Sequence, residues 1–135
     1  MQYRVVIALK DTEDMYCVQA IVDTMSFSFD ARPVSPEPPE ILDGIGKSSA
    51  DLLILDLTAS PEMPALVMRL RREHRGLWMI LLEGEEENVT SFCLDRRSIV
   101  LQKPISTMRM LHALHSAVAG MEQEIKRNAA VQAGS

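Results

Sequence analysis

Asp56 closes the most apolar run in the chain, Leu52-Leu53-Ile54-Leu55, and Lys103 closes another, Ile99-Val100-Leu101, just before Pro104. A carboxylate carried to the end of a buried strand costs several kcal/mol unless it is solvated or paired. If both runs are strands of one sheet, the two opposite charges meet at its edge as an ion pair. Leu9, Lys10, Asp11, Glu83 and Gly84 end the other apolar runs and join that edge. A carboxylate in such company can accept a transferred group, bind a cation, or be held by a fixed one.

The elements that must position these residues are legible as alternating periods. Arg4-Val5-Val6-Ile7-Ala8-Leu9, Leu52 to Leu55 and Leu77 to Leu82 are apolar runs without polar alternation, the pattern of strands buried on both faces of a parallel sheet. Phe27 to Val34 is more polar and is limited by Pro33, which suits a sheet edge. A helix is expected from Asp11, with Asp14 three residues on in a near capping-box spacing and Met15, Val18, Ile21, Val22 and Met25 at helical period. A second follows Pro36, Pro38 and Pro39 and carries Ile41, Leu42 and Ile45. A third is framed by Pro61 and Pro64 and runs to about His74, and a fourth runs from Glu85 to about Asp95. The last is capped by Ser106 or Thr107 and continues to about Lys126. Five β-α units in one domain, residues 1–127, require a parallel sheet with right-handed crossovers and helices on both faces. Working residues then collect at the carboxyl ends of the strands, at the topological switch point. The small, polar stretch from Asn128 to Ser135 is expected to fray as a flexible tail.

Composition removes several classes. The 135 residues are 47% hydrophobic and 24% charged, which argues for one globular domain. With 14 Lys and Arg against 19 Asp and Glu, the net charge of −5 disfavours a broad nucleic-acid surface. Three Phe, two Tyr and one Trp leave little for base stacking. Cys17 and Cys93 lack CxxC spacing and are too few for a disulfide scaffold or a zinc site. No apolar run approaches the ~20 residues that span a membrane, and nothing resembles a signal peptide. The expected location is the cytoplasm, with free thiols.

Leu52-Leu53-Ile54-Leu55-Asp56-Leu57 and Leu101-Gln102-Lys103-Pro104, at this separation within five β-α units, resemble the receiver domain of two-component response regulators over roughly residues 2 to 125. The resemblance implies a flavodoxin-like fold, a five-stranded parallel sheet in the order 2-1-3-4-5, with two helices on one face and three on the other. It implies that Asp56 accepts a phosphoryl group from a phosphohistidine on a partner kinase and that Lys103 pairs with the acyl phosphate. It also implies a divalent ion, usually magnesium, held by Asp56, by the Thr58 carbonyl and by acidic residues after the first strand. The positions of that acidic pair hold Leu9 and Lys10, with Asp11 one residue late. The switch hydroxyl position holds Glu83, and the switch aromatic position holds Val100. Two arrangements follow. Lys10 and Lys103 flank Asp56 as built-in cations, at about 4 kcal/mol for a pair 4 Å apart in an effective dielectric near 20. Alternatively, Asp11 and Glu83 form a displaced metal pocket with Asp56 and Thr58.

The expected function is a non-enzymatic, receiver-like signalling domain in which metal-dependent phosphorylation of Asp56 is weak or absent. The alternatives are a fully phospho-accepting receiver and a purely structural interaction module. Expected partners are a histidine kinase or phosphotransfer protein, a downstream output domain, and a second copy of the chain. The second copy would bind through the last helix, where Leu111, Leu114, Val118, Met121 and Ile125 form a heptad seam.

Other motifs read as structure. Gly46-Lys47-Ser48 lacks the leading glycine of a phosphate-binding loop and precedes a strand instead of opening a helix. Arg69, Arg71 and Arg72 read as a solvated helix face. Asp11, Glu13, Asp14 and the Glu85-Glu86-Glu87 run read as helix-start charges, and His112 and His115 as surface or interface residues.

Overall fold

β1 (Tyr3–Ala8), β3 (Leu52–Asp56) and β4 (Trp78–Glu83) are buried along almost their whole lengths, as continuous apolar runs flanked by helices require. The computed structural model describes residues 2–85 and 95–133. Between the central strands run α1 (Thr12–Asp23), β2 (Phe29–Pro33), α2 (Pro38–Ser48), a 3-10 turn (Leu57–Ala59) and α3 (Met63–Glu73). β5 (Ser98–Gln102) and α4 (Thr107–Ala133) complete the chain. All four strand pairings are parallel, in the order β2-β1-β3-β4-β5.

Side-chain alternation divides the core in two. Ile7, Ile54, Ile80 and Leu82 face α1 and α4, with Val18, Val22, Met110, Leu114 and Met121. Val6, Leu53, Leu55, Met79 and Leu81 face α2 and α3, with Ile41, Ile45, Leu66 and Leu70. The described helices thus lie two to a face. The helix expected from Glu85 to Asp95, with Cys93, falls on residues 86–94, outside the described residues. Cys17 is half-buried against the first core.

At the helix ends, one local expectation holds and two change. Asp11 takes the N-cap position of α1, but its side chain makes no capping hydrogen bond. Ser106 caps α4, accepting from the Arg109 N–H at 3.3 Å. α4 does not stop near Lys126; it runs to Ala133. The alanines at 129, 130 and 133 carry the highest helix propensity and extend it.

Arg71 is no solvated residue. Nη1 donates to the Leu77 carbonyl at 2.7 Å and Nη2 to Ser98 Oγ at 2.7 Å. Nε lies 3.0 Å from Asp95 Oδ2, as an ion pair without hydrogen-bond alignment. One guanidinium therefore ties the end of α3 to the starts of β4 and β5. Arg97 ties the start of β5 to α4, with Nε 2.8 Å from Glu124 Oε1.

Candidate functional site

The site is assembled by register. Ala8 pairs with Leu55, so the next step of β1 brings the chain past Asp56, and the Lys10 N–H donates to Asp56 Oδ2 at 3.2 Å. Asp56 pairs with Leu82, and Glu83 with Gln102. The Lys103 N–H then donates to the Glu83 carbonyl at 2.9 Å, which carries the β4–β5 ladder one residue further and fixes where Lys103 starts. Lys103 alternates onto the same face as Ile99 and Leu101, and Asp56 onto that of Ile54, so their side chains meet. The Lys103–Pro104 peptide bond is cis.

Asp56 is fully buried, at 0% exposure. Its Oδ1 accepts from the Thr58 N–H at 3.0 Å and the Thr58 hydroxyl at 2.6 Å. Its Oδ2 accepts from the Lys10 N–H and from Lys103 Nζ, the latter at 2.9 Å. Lys103 Nζ also donates to Thr58 Oγ1 at 3.3 Å. Two further carboxylates reach the same ammonium: Asp14 Oδ2 at 3.3 Å and Asp11 Oδ2 at 3.7 Å. Burial pushes the Asp56 carboxyl up, but hydrogen bonds from Thr58, Lys103 and Lys10 outweigh it and hold the group below its ordinary range. Burial likewise pushes Lys103 down, and Asp56 and Asp14 outweigh it, holding the ammonium above the usual lysine range.

The structure brings Asp56, Thr58, Lys103 and Asp11 together and separates the other expected residues. Lys10 reaches Asp56 only through its backbone N–H; its side chain is exposed, so it is no built-in cation for the pocket. Thr58 meets Asp56 through its N–H and hydroxyl. Glu83 alternates onto the opposite face, where its carboxylate accepts from Gln102 Nε2, so it does not stand at a switch position over Asp56. Val100 packs against the second core. Asp14 was not expected in the pocket, because a carboxylate in the first turn of a helix already has a reason to be there in the helix dipole. The spacing of three from Asp11, which puts both on one helix face, was the available sign.

A buried carboxylate at the carboxyl edge is paired with a lysine from the last strand of a doubly wound parallel sheet. No family model matches the sequence, and no curated protein matches it. Solved structures do. The receiver domain of AraT, a response regulator from Geobacillus stearothermophilus, superimposes with a TM-score of 0.77 at 21% identity, covering 92% of this chain and 98% of that one. A CheY-like receiver domain protein from Methanospirillum hungatei gives 0.77 at 17% identity, with 92% and 99% covered. NtrX from Brucella abortus gives 0.76 at 16% identity, covering 95% of this chain; this chain spans 29% of NtrX. The chain therefore has the receiver fold.

The resemblance implies a divalent ion beside Asp56, and the described residues, with Lys103 in place, do not fit one. A carboxylate offers about four lone-pair sites, and Asp56 commits them to Thr58, Lys10 and Lys103. Among the described residues, no three His, Cys, Asp or Glu side chains are grouped to hold a metal ion.

Proposed function

We propose that this chain is a receiver-like signalling domain of a two-component pathway whose acceptor-position carboxylate is held by the protein itself, so that metal-dependent phosphorylation of Asp56 is weak or absent. The observation that carries the reading is the complete engagement of Asp56 by Thr58, Lys10 and Lys103. A phosphoryl group adds a charge of about −1.5 to −2. Here it would displace that set of hydrogen bonds while the Lys103 ammonium occupies the space beside it, with Asp11 and Asp14 nearby as like charges. The domain works in this reading by presenting its surface, not by catalysis. Its partners are a histidine kinase or phosphotransfer protein and an output module, and it acts in the cytoplasm. The last of these is in keeping with the finding that, among the described residues, no helix is long and apolar enough to cross a membrane.

Incubation with magnesium and acetyl phosphate, read by intact mass, tests the reading. No added mass is expected. One added phosphoryl group that Asp56→Asn abolishes would overturn it. The chain would then be a phospho-accepting receiver, a reading favoured by the presence of Asp11 and Asp14 within 3.7 and 3.3 Å of Lys103.

A further inference from the structure

Among the described residues, Lys103 Nζ has four oxygen neighbours: Asp56 Oδ2 at 2.9 Å, Asp14 Oδ2 at 3.3 Å, Thr58 Oγ1 at 3.3 Å and Asp11 Oδ2 at 3.7 Å. They come from the β1–α1 junction and from the end of β3, while the ammonium comes from the end of β5. The three carboxylates range from open to closed, with side-chain exposures of 58% for Asp11, 26% for Asp14 and 0% for Asp56. Lys103 is 18% exposed, so its stem is packed while its head is shared among the acids. The shell is wider than a metal's. Oxygens stand about 2.1 Å from magnesium and about 2.3–2.6 Å from calcium.

We propose that the Lys103 ammonium is the resident cation of this pocket, positioned by Asp14 and Asp11, and that it bars divalent cations from a position the three carboxylates would otherwise share. The proposal rests on the metal-independent reading above and names the group that enforces it. The warrant is charge and tethering. Three carboxylates around one space need a counter-charge, and a lysine anchored on β5 supplies it at high effective concentration, against which an ion in millimolar solution competes poorly. Without that ammonium, Asp56 keeps its hydrogen bonds from Thr58 and Lys10 but loses its counter-ion. Asp11 and Asp14, on the first turn of α1 and more exposed, can turn inward to close a smaller shell.

Lys103→Met, similar in length and uncharged, is the test. Melting is followed at fixed ionic strength with and without about 10 mM calcium or magnesium. The wild-type midpoint should move by less than about 1 °C. The variant should melt lower in metal-free buffer and rise by about 3–5 °C when the ion reaches ten times its Kd. Adding Asp14→Asn to Lys103→Met should remove most of that rise. A wild-type shift as large as the variant's overturns the proposal, because Lys103 then bars nothing. So does a variant that stays blind to both ions, or a response that Asp14→Asn leaves intact. If Lys103→Met does not fold in metal-free buffer, refolding with calcium becomes the readout: recovery of the native signal supports the proposal, and failure in both buffers overturns it. A divalent-blind variant with an unphosphorylated wild type defeats this inference alone, whereas magnesium-dependent phosphoryl uptake by the wild type defeats the functional reading as well.

Discussion

Removing Lys103 leaves a fully buried carboxylate without a counter-charge, whereas neutralising Asp56 leaves Lys103 still beside Asp14 and Asp11. The two substitutions should therefore differ in cost. Lys103→Met is expected to destabilise by about 3–5 kcal/mol, the penalty for breaking a buried pair from one side. Asp56→Asn should cost about 1–2 kcal/mol, nearer the loss of a hydrogen bond. Urea unfolding of the two variants measures the difference, and equal costs would mean that Asp56 is not charged in the native protein. The same pair sets a pH window. Asp56 is held below the ordinary carboxyl value of 3.8, so its contribution is complete above that pH and is lost as acid titrates it at lower pH. Lys103 is held above the ordinary lysine value of 10.5, so its contribution is complete below that pH and is lost as alkali titrates it at higher pH. Stability contributed by this pair should be flat across neutral pH and fall at both extremes, with the acid limb absent in Asp56→Asn. Asp56 and Lys103 were legible because an apolar run that ends in a charge announces a strand end. Lys10 was misread because a residue's number says where its backbone goes, and the turn leaving β1 sends the N–H inward and the side chain out. Glu83 was misread because strand alternation, applied one residue past Leu82, sends it to the other face.

At the scale of elements, α4 packs closely on the start of β4 at Gly120. A Cβ placed on Gly120 would stand 2.1 Å from Cη2 and 2.4 Å from Cζ2 of Trp78. The indole is only 7% exposed, and its Nε1 has no hydrogen-bond acceptor among the described residues. Gly120→Ala gains about 1 kcal/mol of helix propensity and loses about 1–3 kcal/mol to overpacking. A net destabilisation of about 1 kcal/mol is expected, visible as a lower melting midpoint. In a Trp78→Phe background the smaller ring makes room, and the same substitution should turn neutral or stabilising. None of this was legible. A lone glycine in a helix looks like a blemish until the residue across from it is known, and Trp78 lies 42 positions away in the chain by its numbering. Arg71 was hidden for the same reason, since its three partners belong to other elements.

For the molecule as a whole, the order β2-β1-β3-β4-β5 puts the reversal of winding between β1 and β3, where Asp56 sits, so fold and site share one origin. Periodicity carried the parallel sheet and its strand ends, while the strand order came with the resemblance to receiver domains. Self-association was also expected, but the seam is largely absorbed: Leu114 and Met121 are buried in the first core, Leu111 and Val118 pack against it, and Ile125 alone is 44% exposed. If copies pair through α4, as proposed from the seam, Ile125→Glu should shift sedimentation towards the monomer without changing the melting midpoint. An unchanged sedimentation coefficient would place any contact elsewhere. Past Met121, every α4 residue to Ala133 except Glu124 is exposed. That stretch of twelve residues is about 18 Å long at 1.5 Å per residue, and Arg97 grips it near its root through Glu124. Such a rod is a mechanical lever with its fulcrum at the sheet. A tilt of about 10° at the root would sweep the far end through about 3 Å, so a core displacement too small to disturb packing is magnified along the helix.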